Sequence, residues 1–483
     1  MTEIPSPPFS KRRMHLNSLK QRATEAIDPE DNSRDKDRLE YYIWLAKLAD
    51  KGKITSIFFA DGYGLMQTYE GKPDATFRGG SMVANLDPVV LISAMAAVSK
   101  SVAFGITSST SYVSPFILAR TWSTLDHVTR GRIAWNVVTS YSNSAAQAMG
   151  NDKVQPSEEK YRAAHEYMDL VYQLWENSWE DGVVKWQAEP EMAYDPNKIH
   201  KIDFDGEFHR QVFSQDLCHA YHQTHPSPQR TPVIFQAGAS KSGIELAGKH
   251  GEAIYTDIPT IPAMAEYIKN VRAAAISFGR DPYDVKIFVA IMPFLGKTVE
   301  EAQAKYDKAQ SLLSVQSNLA KLSGFTGPDD KAGAIVGSIQ NMTLLSDEAT
   351  EPITPEMFAK TFKWPFPIGT PEMVADVFQE WMEKMNCDGF NLVYASNPGS
   401  YEDVVEMLVP VLQKRGLMWD DYTVPGGTYR ENLHNTPGNP YLSPRHPGSK
   451  FKWNAPKTEL VVDAKSVSKA EGFVPVQVVA VTA

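Results

Sequence analysis

Eight short runs of strand-forming residues alternate along this chain with longer runs of helical periodicity, and no other feature narrows the choice of fold as far. The strand runs are residues 13–18, 56–60, 102–109, 133–140, 233–238, 253–257, 285–296 and 389–395. Strands separated by helices pair in parallel, because each helix carries the chain back to the edge where the last strand began. Eight is the number of parallel strands that closes a (β/α)8 barrel. Several runs are apolar on both faces, as strands covered by helices are.

The helical runs support the same reading. Over residues 37–53, Leu39, Tyr42, Ile43, Ala46 and Ala49 recur at three- and four-residue spacing. Asp87-Pro88 and Ser114-Pro115 each read as an N-cap followed by a first-turn proline, and Gly131 as a helix stop. Further helices are expected over residues 156–175, 241–250, 261–278, 299–313, 371–385 and 401–414. The fold class is therefore α/β, a TIM-like barrel spanning residues 1–415. Residues 180–230 and 316–366 exceed what a minimal barrel needs and read as lids over a pocket. Residues 416–483, rich in Pro, Gly and Asn, read as a C-terminal extension: a surface arm or a subunit contact.

Composition removes several function classes. With 48 basic and 58 acidic residues the net charge is −10, which disfavours nucleic acid and anionic membrane surfaces as partners. Two cysteines, Cys218 and Cys387, are too few for a disulfide framework or a CxxC metal site. Neither a signal-peptide core nor a membrane-length apolar run is visible, so the expectation is a soluble cytoplasmic protein.

In a barrel of this kind the chemistry sits at the carboxyl ends of the strands. The second strand ends in Phe58-Phe59-Ala60-Asp61, the third in Thr107-Ser108-Ser109, and the fourth carries Asn136, Thr139 and Ser140 among apolar neighbours. Buried polar groups of this kind must be satisfied somewhere. Gly238 and Ser240, ahead of a helix, suit a phosphate, because free N–H groups point outward at a helix start. Each residue also has a plainer role open to it. Asp61 can cap a turn, Thr107 can bond a neighbouring carbonyl, and Ser240 can be an ordinary N-cap.

The stretches RRMHLNS, SIFFADGYG, FGITSSTSY, STLDHVTRGRIAWNVVTSYSNSAAQAMG, KYRAAHEYMDLVYQLWENSWED, SPQRTPVIFQAGAS and GTPEMVADVFQEWMEKMNCDGFNLVYA resemble one family. It is the nitrilotriacetate and dibenzothiophene-sulfone monooxygenase group of the bacterial luciferase-like superfamily. The likeness runs from about Arg13 to Arg415, and the LDHVTRGRIAWNVVTSY block is its most specific part.

The resemblance implies a monooxygenase that uses reduced FMN as cosubstrate and passes through a flavin hydroperoxide. One oxygen atom from dioxygen enters a small sulfur- or nitrogen-containing substrate. It also implies a separate NAD(P)H-dependent flavin reductase, in keeping with the lack of a G-x-G-x-x-G nucleotide fingerprint here, and a homo-oligomer, most simply a dimer. Carried over by residue, Asp61 and Thr107 belong beside the flavin, Tyr161 on its phosphate, and Ser240 in the phosphate loop. Asn136 and Thr139 face the ring, and His15 and Phe59 line the pocket. Ser157 stands where the family often has His, one turn before Tyr161. Such chemistry needs a closed pocket that keeps water from the flavin.

Other readings remain open at this point: an idle flavin-binding relative, a deazaflavin-dependent oxidoreductase, and a hydrolase with a metal at His219, His222 and His225. No metal is expected, since on a helix His225 would turn away from the other two. Asp126-His127 reads as a structural contact.

Overall fold

The computed structural model describes residues 13–22, 28, 31–67, 69–80, 83–208, 218–258, 260–326 and 365–455. Eight parallel strands close into a barrel. They are β1 His15–Arg22, β2 Ser56–Phe59, β3 Ala103–Ser109, β4 Ile133–Val138, β5 Val233–Gln236, β6 Ala253–Thr256, β7 Lys286–Ile291 and β8 Gly389–Tyr394. Each pairs with its sequence neighbours, and β8 returns to β1 with His15 opposite Gly389 and Asn17 opposite Asn391. Every expected strand run falls on one of these strands. The long run 285–296 splits after Ile291, and Phe294–Leu295 pairs instead with Ile368–Gly369. Pro293 lies at the break, where it has no N–H to donate to a ladder.

The helices are α1 Leu39–Lys51, α2 Pro88–Ala97, α3 Pro115–Val128, α4 Ser157–Tyr172, α5 Lys241–His250, α6 Ile261–Ser277, α7 Val299–Ser311 and α8 Pro371–Met385. Asp87 caps α2 by accepting the Val89 N–H at 2.9 Å, whereas the Ser114 side chain makes no cap bond to α3. The last helical run, 401–414, is not continuous. Gly399–Asp403 passes through a π-turn at Val404–Leu408 into Val409–Lys414, where Pro410 lacks the N–H that a regular helix needs. Among the described residues no helix is long and apolar enough to cross a membrane.

Two apolar layers hold the barrel. Outward residues such as Ile57, Ile106, Trp135, Ile254 and Phe390 pack against the helices. Inward residues Phe58, Phe235, Tyr255 and Phe288 fill the bore, with Phe58 ring centroids 5.4 Å from Phe235 and 5.7 Å from Tyr255. Burying each such ring stabilises the fold by about 1.5–3 kcal/mol. Gly105 leaves the room they need, because a Cβ there would lie 3.1 Å from the Phe58 ring.

Where it is described, the extension does not run over the outer surface. Its described part, residues 416–455, crosses beneath the barrel and closes the amino ends of the strands. Leu417 O accepts from Met14 N ahead of β1, and Tyr422 OH donates to Ile54 O ahead of β2. Gly426 N donates to Ser101 Oγ ahead of β3, and Tyr429 N to Gly131 O ahead of β4. The short helix Tyr429–His434 starts with a capping box, Thr428 with Glu431, and sends the Tyr429 ring up against Phe235 at 6.0 Å. Pro, Gly and Asn suit this path, because a strap of turns must bend at each strand it crosses.

Of the first insertion, two small antiparallel pairs are described, Val184–Gln187 with Met192–Tyr194 and Ile202–Phe204 with Cys218–Ala220. Of the second, helix Val315–Thr326 packs near the segment after β2, with Ser317 Oγ donating to Ala75 O at 3.1 Å. Residues 209–217 and 327–364, where parts of both expected lids fall, lie outside the described residues, as do 456–483 of the extension.

Candidate active site

A cleft of about 580 Å³, counting its open mouth, lies at the carboxyl ends of β2, β3 and β4. Asp61, Tyr63, Thr107, Val138, Ser140 and Tyr141 are among its lining residues. The chain turns sharply here. Ser140 has φ 54°, a left-handed conformation that costs a non-glycine residue about 1–2 kcal/mol. Two bonds hold it: Ser140 Oγ donates to Ser109 Oγ at 2.9 Å, and Lys160 Nζ donates to Ser140 O at 2.8 Å.

Thr107 is oriented from below. Its Oγ1 donates to Phe59 O at 2.8 Å and accepts from Asn136 Nδ2, also at 2.8 Å. A hydroxyl has one proton and two lone pairs. The proton is committed to the carbonyl, so what Thr107 can offer the cleft is an acceptor. Asn136 Oδ1 is buried and has no partner. Burial raises the Tyr63 and Tyr141 hydroxyl pKa values, so both phenols stay neutral donors.

A second feature lies beside the cleft, at the start of α5. Ser240 is its N-cap, with Oγ accepting from Gly243 N at 3.1 Å. Gly238 packs tightly: a Cβ there would sit 2.9 Å from Gly243 Cα and 3.3 Å from the Tyr161 hydroxyl. Tyr267 OH donates to Gly238 O at 3.1 Å and fixes the loop from α6. Gln236 Oε1 is buried without a partner nearby on β5. Tyr161 and Lys160 come from α4, the Lys160 ammonium 5.9 Å from the Tyr161 ring centroid. Burial lowers the Lys160 pKa. Lys160 thus holds the cleft loop from α4, next in sequence to the Tyr161 of the cradle.

The structure brings Asp61 and Thr107 together in the cleft, and Tyr161 and Gly238 together at the cradle that Ser240 caps. Thr107 also makes the plainer contact with a neighbouring carbonyl, and Ser240 is also an ordinary cap. Four expected residues are placed elsewhere. His15 starts β1 at the opposite end of the barrel, its Nδ1 3.1 Å from Thr55 Oγ1 and its ring 4.6 Å from Trp419 of the strap. Burial, reinforced by Lys286, lowers its pKa to about 3, so it is neutral. Phe59 packs outward in the layer under the helices, and Phe58 is the inward ring. Thr139 is buried between Val138 and Ser140, which line the cleft while it does not. Ser157 is exposed at the first position of α4 and takes part in none of the cradle's hydrogen bonds among the described residues. Tyr63, Tyr141, Lys160 and Gln236 were not singled out in sequence. Tyr63, Tyr141 and Gln236 were signalled only by proximity to the strand ends, and Lys160, on α4, only by its place next to Tyr161.

The histidine-rich segment is structural where it is described. His222 is buried with Nε2 3.1 Å from Ser123 Oγ, and the His225 ring lies 4.4 Å from that of His127, tilted by 57°. Among the described residues no three metal-ligating side chains gather. Asp126 is a structural contact, accepting from Gln229 N at 2.8 Å and Gln229 Nε2 at 2.7 Å.

The model of the bacterial luciferase-like monooxygenase family matches residues 18–387. The chain belongs to the luciferase-like monooxygenase family. It is 37% identical to a long-chain alkane monooxygenase of Geobacillus thermodenitrificans, over 91% of this chain and 98% of that protein. It is 35% identical to a dimethyl-sulfide monooxygenase of Hyphomicrobium sulfonivorans, over 86% and 87%. A dibenzothiophene-sulfone monooxygenase of Rhodococcus erythropolis is 31% identical over 82% of this chain and 89% of that protein, and nitrilotriacetate monooxygenase component A of Aminobacter aminovorans is 29% identical over the same shares. The crystal structure of a long-chain alkane monooxygenase superposes with TM-score 0.81 over 92% of this chain and all of that one. The chain is a flavin-dependent monooxygenase of this family, and the closed barrel with its carboxyl-end cleft is the expected scaffold.

Proposed function

We propose that the protein is the oxygenase component of a two-component system, taking reduced FMN from a separate NAD(P)H-dependent reductase to oxygenate a small sulfur- or nitrogen-containing substrate. The observation that carries this reading is the run of polar groups from the cleft to the α5 cradle: Asp61, Thr107, Ser140, Lys160, Tyr161, Gly238, Ser240. A loop that packs too closely at Gly238 to admit a Cβ, at a helix start, suits a phosphate. The buried, unpartnered Asn136 Oδ1 and Gln236 Oε1 mark polar demand beside it.

When bound, reduced FMN supplies the activation of dioxygen and the transfer of one oxygen atom. The chain's residues bind, orient and shield. Gly238, Ser240 and Tyr161 would hold the phosphate, with Lys160 adding positive charge. Thr107 would accept from a ring N–H, its orientation set by Phe59 O and Asn136. Tyr63 and Tyr141, kept neutral by burial, wall the cleft and limit the entry of water. Among relatives at comparable identity, a riboflavin lyase crystallised with a modified FMN superposes with TM-score 0.81 at 29% identity.

The test is a stopped-flow experiment. Protein premixed anaerobically with reduced FMN is mixed with oxygenated buffer, and the return of oxidised-flavin absorbance is followed. A delay well beyond that of free reduced FMN supports the reading. Reoxidation at the free rate, with oxidised FMN held tightly, overturns it.

A further inference from the structure

Met66 brings a thioether into the wall of the cleft. It sits in the segment after β2, is 6% exposed, and lines the same cleft as Asp61, Thr107 and Val138. Its backbone is held in place. Thr76 Oγ1 donates to Met66 O at 2.7 Å, and Ser144 Oγ donates to the neighbouring Leu65 O, also at 2.7 Å. Gly64 packs so closely on helix Asn143–Ala148 that a Cβ there would lie 2.5 Å from Ala145 N. Met66 leaves the cleft wall only if these contacts break.

A thioether sulfur is soft and polarisable, and a two-electron oxidant converts it to a sulfoxide. Among the described residues that line the cleft, Met66 is the one that carries sulfur. The others offer hydroxyls, phenols, a carboxylate and alkyl groups, none of which has a sulfur lone pair to take up an oxygen atom. Met292, just after β7, packs in the inner layer of the barrel and is not part of the lining. The chain also carries its own reference points. Met149 and Met373 are the exposed methionines among the described residues, at 42% and 45%. An oxidant arriving from bulk solvent reaches those two first, because susceptibility follows access.

We propose that Met66 is a self-oxidation site: when reduced FMN and dioxygen meet in the cleft without a substrate, one oxygen atom passes to the Met66 sulfur. The O–O bond of dioxygen breaks. One atom forms the S–O bond of the sulfoxide and the other leaves as water, while reduced FMN gives up two electrons and two protons and becomes oxidised FMN. The sulfoxide puts a polar, chiral group where the wall was apolar. Turnover without substrate therefore alters the cleft in which it happens. The inference rests on the oxygenase reading and adds to it a modification site on the chain.

The test keeps full-length protein turning over with FMN, NADH and a flavin reductase under isotopically labelled dioxygen. No organic substrate is present, and catalase removes free peroxide. Each methionine peptide is then quantified by mass spectrometry. Met66 gains one labelled oxygen about ten-fold or more faster than Met149 and Met373, because an oxidant delivered beside the sulfur acts at high effective concentration. Hydrogen peroxide added to flavin-free protein gives the opposite order. Met66 labelled no faster than Met149 and Met373 during turnover overturns the proposal, as does a peroxide pattern that already favours Met66. The stopped-flow measurement separates the two readings. Delayed flavin reoxidation with Met66 unmodified overturns this inference alone, whereas reoxidation at the free rate with Met66 unmodified overturns both.

Discussion

The guanidinium of Arg430 meets the carboxylate of Glu252 in a two-pronged pair, Nε to Oε1 at 2.7 Å and Nη2 to Oε2 at 2.9 Å. Both side chains are buried, one on the strap beneath the barrel and the other just ahead of β6. The remaining guanidinium donors go to Thr231 O at 2.9 Å and Pro440 O at 2.6 Å, and Glu252 also accepts from Ile234 N at 3.1 Å. The pair ties the strap to the foot of the barrel. Breaking one side leaves the other charge buried and alone, so Arg430→Ala should cost about 3–5 kcal/mol in urea denaturation. Arg430→Met with Glu252→Gln should recover part of that loss. A single variant as stable as the wild type would show that the strap is not held here.

Acid should loosen the same floor. Burial alone would raise the Glu252 pKa, but the Arg430 charge and hydrogen bonds hold it well below the usual carboxylate value. His15, His165 and His446 are lowered to about 3 by burial, and His250 well below its ordinary value. Lowered folded values mean that the unfolded chain binds protons first. The stability these groups supply is complete above about pH 6.5 and is lost as pH falls toward 3, at up to about 1.4 kcal/mol per pH unit per histidine. Calorimetric unfolding at pH 5 should take up protons, about one fewer for His15→Phe. Unfolding without proton uptake would contradict the buried neutral state.

Thr107 joins cleft and core, so its variants should separate hydroxyl from shape. Thr107→Val leaves the Asn136 amide without its acceptor and costs about 1–3 kcal/mol. It should also weaken reduced-FMN binding about ten-fold, measured by anaerobic titration, with Thr107→Ser restoring most of both. Undiminished flavin affinity in Thr107→Val would remove Thr107 from the flavin's surroundings.

The cradle at α5 makes a different demand. A Cβ at Gly238 meets backbone of Gly243, which cannot swing aside as a side-chain tip can. Gly238→Ala should lower FMN affinity more than ten-fold, and Tyr161→Phe by a smaller factor of about five, the worth of one hydrogen bond. Riboflavin, which lacks the phosphate, should bind both variants nearly as well as the wild type. An equal loss for both flavins would mean that the cradle does not hold a phosphate.

The strand and helix periods were legible residue by residue, because a pleat alternates every second residue and a helix every third or fourth, whatever the rest of the chain does. That was enough to order the eight strands and to look for Asp61, Thr107 and Ser240 at their ends. Side-chain direction was a different matter. Phe58 and Phe59 are chemically identical, and only closure of the barrel turns one to the bore and the other to the helices. His15 has the polarity of a site residue, yet its strand begins rather than ends there, so it meets the strap and not the cleft. The strap itself reads as loop, since its partners lie hundreds of residues earlier, as Tyr422 does from Ile54. Local periodicity determined the fold, while the floor and the cradle beside Tyr161 were decided only by long-range packing, which sets what each polar atom can reach.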